Sequence, residues 1–312
     1  MELGVRTVPF GETDVESLLE WLQSNGIESI ECSVGGFAPS RFLDASSILE
    51  NGETEVELLE AIDDVDVEIA ALGCHNNPLH PDEGVASDAD AELRSAIRLA
   101  SRLDVDTISC FSGLPGGSAD DSTPNWIVAP WPPDHSRAHR YQWESVAIPY
   151  WSELATFADD HDVTLAIEPH VNMLVHTPGD LLRLREHTTD AVAATFDPSH
   201  LYWQGIDAID AAVALLERDA IAHAHAKDVL VQERTRRVDG VLDATSFGDG
   251  SERSWTFCRP GVGHGRAHWE ALVHTLKQRG YDGHLCIEYF REEVEEPHAS
   301  VEKSAHFLRE IL

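Results

Sequence analysis

Four short apolar runs in the second half of the chain each end on residues that can bind a metal or carry a proton. They are TLAIEPH (164–170), AATFDPSH (193–200), IAHAHAKD (221–228) and HLCIEYF (284–290). The change from β-type residues to Glu, Asp or His is abrupt, and helix-length segments separate the runs. Strands of a parallel α/β barrel that end this way aim their last side chains at one shared point. Glu168, Asp197, His225 and Glu288 would then offer three carboxylates and one imidazole, a mostly hard ligand set suited to one divalent cation. Mn²⁺ is the expected ion, with Co²⁺, Mg²⁺ and Zn²⁺ also compatible. Read singly, each of these residues is an ordinary strand-end group in a surface salt bridge. Together, at successive strand ends, they describe a site.

Other polar residues fall near the same mouth. His223, His225 and Lys227 share one face of their strand by its period of two, which puts His223 lower in the barrel and Lys227 at the mouth. Lys227 is one of only three lysines in the chain and could hold a substrate hydroxyl or a neighbouring Glu. Glu31 ends the second predicted strand, where it could hold a hydroxyl or His75, and His75 ends the third. His170 follows Glu168 by two residues and could orient it. Trp126, Trp131, Trp203 and Trp255 could stack on the flat face of a substrate, or simply pack their loops.

The elements that must position these groups alternate from start to finish. Strands are predicted near 3–8, 28–33, 67–74, 106–111, 164–168, 193–197, 221–226 and 284–289. Helices are predicted over 13–25, 53–63, 88–103, 143–161, 178–188, 207–217, 267–280 and 299–311. Ser87 or Asp88, and Thr177 with Pro178, are candidate helix starts. Periodicity alone leaves an open doubly wound sheet in play, but four converging strand ends favour one closed (β/α)8 barrel over residues 1–312. Two long stretches, 112–135 and 229–265, interrupt the alternation. Both would lie on the catalytic face, and their tryptophans argue for order.

Six fragments carry a family likeness: CHNNPLHPD (74–82), IEPH (167–170), FDPSHLYWQGID (196–207), HAHAKD (223–228), RPGVGHG (259–265) and IEYF (287–290). In this order and spacing they resemble the sugar phosphate isomerase/epimerase group of xylose-isomerase-like barrels, over essentially the whole chain. The resemblance implies that Glu168, Asp197, His225 and Glu288 hold one metal ion, one ligand from each of strands five to eight. It also implies substrate contacts for His200, for the loop of His75 and Asn77, and for Arg259. The implied reaction moves a proton between carbons beside a carbonyl, through an enediolate whose charge the ion stabilises. Glu168 and Glu288 would work from opposite faces of the reacting carbon, giving epimerisation or aldose–ketose isomerisation.

A lyase or dehydratase acting on an inosose or a 3-keto-glycoside would use the same enediolate and then expel a leaving group. An apurinic endonuclease shares the barrel but needs further His ligands for three zincs and a basic face. A sugar-binding barrel without activity has no use for two opposed carboxylates. Few Arg or Lys lie near the mouth, and SGLPGG (112–117) does not match a phosphate-binding loop, so a non-phosphorylated sugar or keto-sugar is expected.

Composition narrows the partners. The chain of 312 residues carries 56 Asp plus Glu against 22 Lys plus Arg, a net charge of −34. That balance argues against nucleic acid, whose backbone is bound by clustered cations. No apolar run approaches the roughly 20 residues of a membrane helix. The N-terminus MELGVRTVPFGETD lacks a basic region followed by an apolar core, and the five cysteines are scattered, so a reduced, cytoplasmic protein is expected. A small sugar or keto-sugar and a second copy of the chain remain as partners. The dispersed acids also suggest adaptation to high salt, where screening over about 3 Å at 1 M relieves self-repulsion. The melting temperature should therefore rise from dilute buffer to molar KCl; a flat or falling value would refute the halophile reading.

Overall fold

The computed structural model describes residues 1–38, 40–51, 57–62, 65–249, 252–289 and 296–312. Part of the predicted helix 53–63, and Phe290 of the IEYF motif, lie outside the described residues. The described residues form ten strands: β1 Glu2–Arg6, β2 Ser29–Gly36, β3 Glu68–His75, β4 Thr107–Phe111, β5 Thr164–Glu168, β6 Val192–Phe196, β7 Ile221–Ala226, β8 Asp228–Val231, β9 Trp255–Cys258 and β10 His284–Ile287. Eight of them close a parallel barrel in the order β1-β10-β7-β6-β5-β4-β3-β2. The (β/α)8 architecture expected from the alternation is the one observed. Barrel strands are buried on both faces, which is why they read as continuous apolar runs. Cys32, Cys74, Cys110 and Cys286 sit in β2, β3, β4 and β10 as buried free thiols, and Cys258 is buried in β9.

Helix boundaries depart from the expectation where caps were misread. The helix predicted from 88 runs over Glu83–Arg102, because Asp82 accepts from Gly84 N and Val85 N and sets the start six residues earlier than Asp88 would. Thr177 does cap the helix Pro178–Arg185, in a reciprocal box with Asp180. The helix predicted over 143–161 is present as a π turn over Gln142–Ala147 that runs into the α-helix Ile148–Asp159, and an unpredicted helix, Pro133–Tyr141, precedes it. Within that turn Gln142 and Trp143 are buried, and the Gln142 amide donates to Pro115 O and Asn125 O. The turn thus tethers the long loop after β4.

At the end of β2, Gly36 has φ +89°, and a Cβ there would lie 2.4 Å from His75 O. Only glycine lets this strand end approach β3 so closely.

The second long stretch is not irregular. β8 and β9 pair antiparallel, with Asp228 opposite Cys258 and Val231 opposite Trp255. Trp203, Val229, Trp255 and Phe257 form a small apolar cluster beneath this hairpin. Asp228 fastens the following turn: its Oδ2 accepts from Gly261 N, Gly263 N, His264 N and Trp269 Nε1, and its Oδ1 meets His264 Nδ1 at 2.7 Å. No described helix is long and apolar enough to cross a membrane.

Replacing buried Asp228 orphans several donors at once. Asp228→Ala should lower the unfolding free energy by about 2–4 kcal/mol in urea titration. A loss below about 0.5 kcal/mol would mean that the turn is held by other contacts.

Candidate metal centre

Barrel geometry brings the four predicted ligands to one place. Glu168 is the last residue of β5, Asp197 and Glu288 each follow their strand by one, and His225 lies inside β7. One ligand atom from each lies within 4.8 Å of the others. Glu168, Asp197 and His225 are buried, and Glu288 is partly so.

Three of the converging atoms, Glu168 Oε1, Asp197 Oδ2 and His225 Nδ1, are buried yet make no hydrogen bond among the described residues. They are close to other groups without hydrogen-bond geometry. Glu168 Oε1 is 3.6 Å from His225 Nδ1 and 3.3 Å from His200 Nε2, while Asp197 Oδ2 is 2.8 Å from Lys227 Nζ. Buried polar atoms are normally satisfied, so lone pairs aimed at a common point fit a cation held between them. The donor set of three oxygens and one nitrogen suits a divalent ion.

Beneath the ligands lies a second layer that the sequence reading placed incorrectly. Glu31 does not end β2; the strand continues five residues further, to Gly36, and leaves Glu31 deep in the barrel. There its Oε2 meets His225 Nε2 at 2.6 Å and His223 Nε2 at 3.0 Å. A carboxylate on Nε2 fixes the proton there and frees Nδ1 for a metal. Its Oε1 contacts Arg6 Nε at 2.9 Å, not His75. Arg6 also donates to Glu288 Oε1 at 2.7 Å and reaches His75 Nδ1 at 3.3 Å. Arg6 was missed: a single arginine closing the apolar run LGV was the available signal.

At the mouth, Lys227 donates to Glu288 Oε2 at 2.7 Å and lies 3.1 Å from His200 Nε2. His75 Nε2 meets Ser109 Oγ at 3.2 Å and lies 3.6 Å from Glu168 Oε2. His170 makes no described hydrogen bond to Glu168. Its Nδ1 donates to Val171 O, and its ring lies 4.0 Å from that of His200. Asn77 faces the protein, for Leu79 N and Leu114 N donate to its Oδ1. Arg259 follows β9, half-buried. Trp203 and Trp255 stack on each other at 4.9 Å, so both are structural; Trp131 is exposed, and Trp126 packs edge-on against His176.

Electrostatics divide the groups. Burial alone would raise Glu168 and Glu288, but it is outweighed, by His200 and His225 at Glu168 and by Lys227 and Arg6 at Glu288; both stay well below the usual carboxylate range. Burial pushes Asp197 up to about 6, with Lys227 opposing and the other two carboxylates adding to the rise. Burial would lower His225, yet Glu31, Glu168 and Glu288 carry it well above 6.5. Burial takes His75 and His170 down to about 3, so both are neutral. A further trio, Glu2, Glu68 and His284, converges at the opposite end of the barrel, but its two carboxylates are solvent-exposed.

Residues 19–311 match the family model of the xylose isomerase-like TIM barrel, and the chain belongs to that family. The uncharacterized protein YfiH of Bacillus subtilis is 33% identical over 315 residues, spanning all of this chain and 99% of its own. Among solved structures, the probable 3-DHS dehydratase AsbF of Bacillus anthracis superposes with a TM-score of 0.68 at 16% identity over 99% of each chain. A D-tagatose 3-epimerase-like protein does so at 0.64 and 20% identity, over 100% of this chain and 98% of its own. At these identities the two structures share the fold with this chain.

Without metal the carboxylates favour a proton on His225, and coordination at Nδ1 must displace it. Mn²⁺ affinity should therefore climb as pH rises from 5.5 to 8, by up to about tenfold per unit for each proton released. Calorimetry showing a pH-independent affinity would contradict this arrangement.

Proposed function

We propose that this chain is a divalent-metal-dependent enzyme that transfers a proton at a carbon beside the carbonyl of a sugar or keto-sugar, as an epimerase or isomerase. The observation that carries this reading is the convergence of Glu168, Asp197, His225 and Glu288 on one point, with three buried ligand atoms left without hydrogen bonds. When bound, the ion would polarise the substrate carbonyl and stabilise charge developing on its oxygen. Mn²⁺ suits the ligand set best, with Co²⁺, Mg²⁺ or Zn²⁺ as alternatives.

The remaining work falls to the chain. Glu168 and Glu288 are ionised and can each accept a proton, so one removes it and the other, once protonated, returns it. The two differ in their surroundings: Glu168 is enclosed near His75 and His200, whereas Glu288 is clamped between Arg6 and Lys227. That asymmetry lets one face of a substrate carbon see a different proton donor from the other. Neutral His75 and His200, the Lys227 ammonium and, from the hairpin loop, Arg259 are assigned to substrate hydroxyls. Glu31 and Arg6 hold His225 and Glu288 in place.

A dehydratase reading shares every step up to proton removal and then needs an acid for the departing hydroxide. Lys227 favours keeping it: the ammonium is buried among carboxylates that raise its proton affinity, close to where a leaving oxygen would sit. A dehydratase would form an unsaturated or deoxy product, an epimerase none.

Deuterium exchange into substrate tests the reading. Metal-loaded protein in deuterated water, offered a panel of ketoses and 3-keto-sugars, should label one carbon of at least one compound. Glu288→Gln and Glu168→Gln should retain metal and lose exchange by about 10²–10⁴, and His200→Ala should weaken substrate positioning with metal retained. Exchange at the wild-type rate in both metal-loaded Gln variants would leave these carboxylates as ligands only.

A further inference from the structure

A cavity of about 530 Å³ lies beside the candidate centre, walled largely by Phe37, Val85, Leu114, Pro124, Trp126 and Met173. Its walls are fastened to the site. Phe37 N donates to His75 O at 2.8 Å, and Met173 N donates to His170 O at 3.2 Å. Leu114 N donates to the Asn77 side chain, two residues beyond His75.

Polar groups on the walls are mostly spent on the protein. Asn77 uses its amide on Leu79 and Leu114, and His80 Nδ1 accepts from Asp82 N. What remains is mainly apolar surface, with the exposed Asn172 also among the lining residues. The volume lies within the roughly 300–1,000 Å³ of small-molecule sites.

The wider surface agrees. Every large apolar side chain exposed among the described residues, including Phe37, Val85, Val128, Trp131, Val238 and Leu242, follows the C-terminal end of a barrel strand. In a chain of net charge −34 this confines the apolar exposure to the face that carries the site.

A free sugar presents hydroxyls in every direction and has no use for such a wall. We infer that the substrate is a keto-sugar linked at its anomeric carbon to an apolar, ring-sized substituent, an aryl or alkyl keto-glycoside, whose sugar lies at the metal ligands and whose substituent fills this cavity, so that the simple glycosides used below serve as unreactive analogues. This rests on the sugar-enzyme reading, and the two can fail separately. Exchange into unsubstituted keto-sugars tests the chemistry alone; the comparison below tests the cavity alone.

Calorimetric affinities of the full chain for methyl and phenyl β-glycosides of glucose, galactose, mannose and xylose provide that comparison. For at least one sugar the phenyl compound should bind about tenfold or more tightly than the methyl compound. Phe37→Ser and Met173→Ser should each cut that advantage to less than about threefold while leaving the thermal transition in place, since Phe37 is 69% exposed. The inference is overturned if no phenyl glycoside outbinds its methyl counterpart, or if the advantage survives both substitutions. A dimer in sedimentation that dissociates on Phe37→Ser would also overturn it, giving the cavity to a second copy of the chain.

Discussion

Four carboxylates meet inside the mouth of this barrel, and their mutual repulsion governs nearly everything around them. Glu31, Glu168, Asp197 and Glu288 are compensated by two cations among the described residues, Arg6 and Lys227. Two unit charges about 4 Å apart interact by roughly 4 kcal/mol at an effective dielectric of 20. Several such pairs would be intolerable without compensation in a domain whose net stability is about 5–15 kcal/mol. With neutral histidines, two negative charges are left over, the charge of one divalent ion. In the metal-free molecule a proton on His225 and the elevated proton affinity of Asp197 absorb part of that excess.

The same constraint explains why positioning is divided between layers. Glu31 is not one of the four converging residues, because it lies lower, with His223 and His225 on its Oε2, a buried trio that could itself hold a cation. It instead sets which nitrogen of His225 faces the centre, and Arg6 carries that arrangement across to Glu288 through one guanidinium. Loops complete the mouth. Asp228 clamps the turn after β9, and the π turn at Gln142 tethers the loop after β4. A polar centre thus sits beside an apolar wall, on one rigid frame.

The barrel was legible because its signal is redundant. Eight apolar runs spaced by amphipathic segments admit few topologies, and each run repeats the same information. The convergence of Glu168, Asp197, His225 and Glu288 was legible for a related reason, since strand ends share one direction. Arg6 was not, because one cation after LGV looks like a surface residue until the barrel closes it over Glu31 and Glu288. Glu31 was misplaced because bulges between β2 and β3 carry the strand on to Gly36, and register irregularities leave no mark on periodicity. The β8–β9 hairpin was hidden too, since more than twenty residues separate its strands and no turn motif joins them. Ser87 and Asp88 were the cap candidates, while the observed cap is Asp82, whose side chain accepts from Gly84 N and Val85 N.

The central claim is that one cation belongs among these four side chains. Crystals grown with Mn²⁺ and measured at its absorption edge address it directly. The account predicts a single strong anomalous peak about 2.0–2.4 Å from oxygens of Glu168, Asp197 and Glu288 and from His225 Nδ1. It also predicts that Lys227 moves away from Asp197. A peak only at Glu2, Glu68 and His284, or no peak with Lys227 still bridging Asp197 and Glu288, would contradict it.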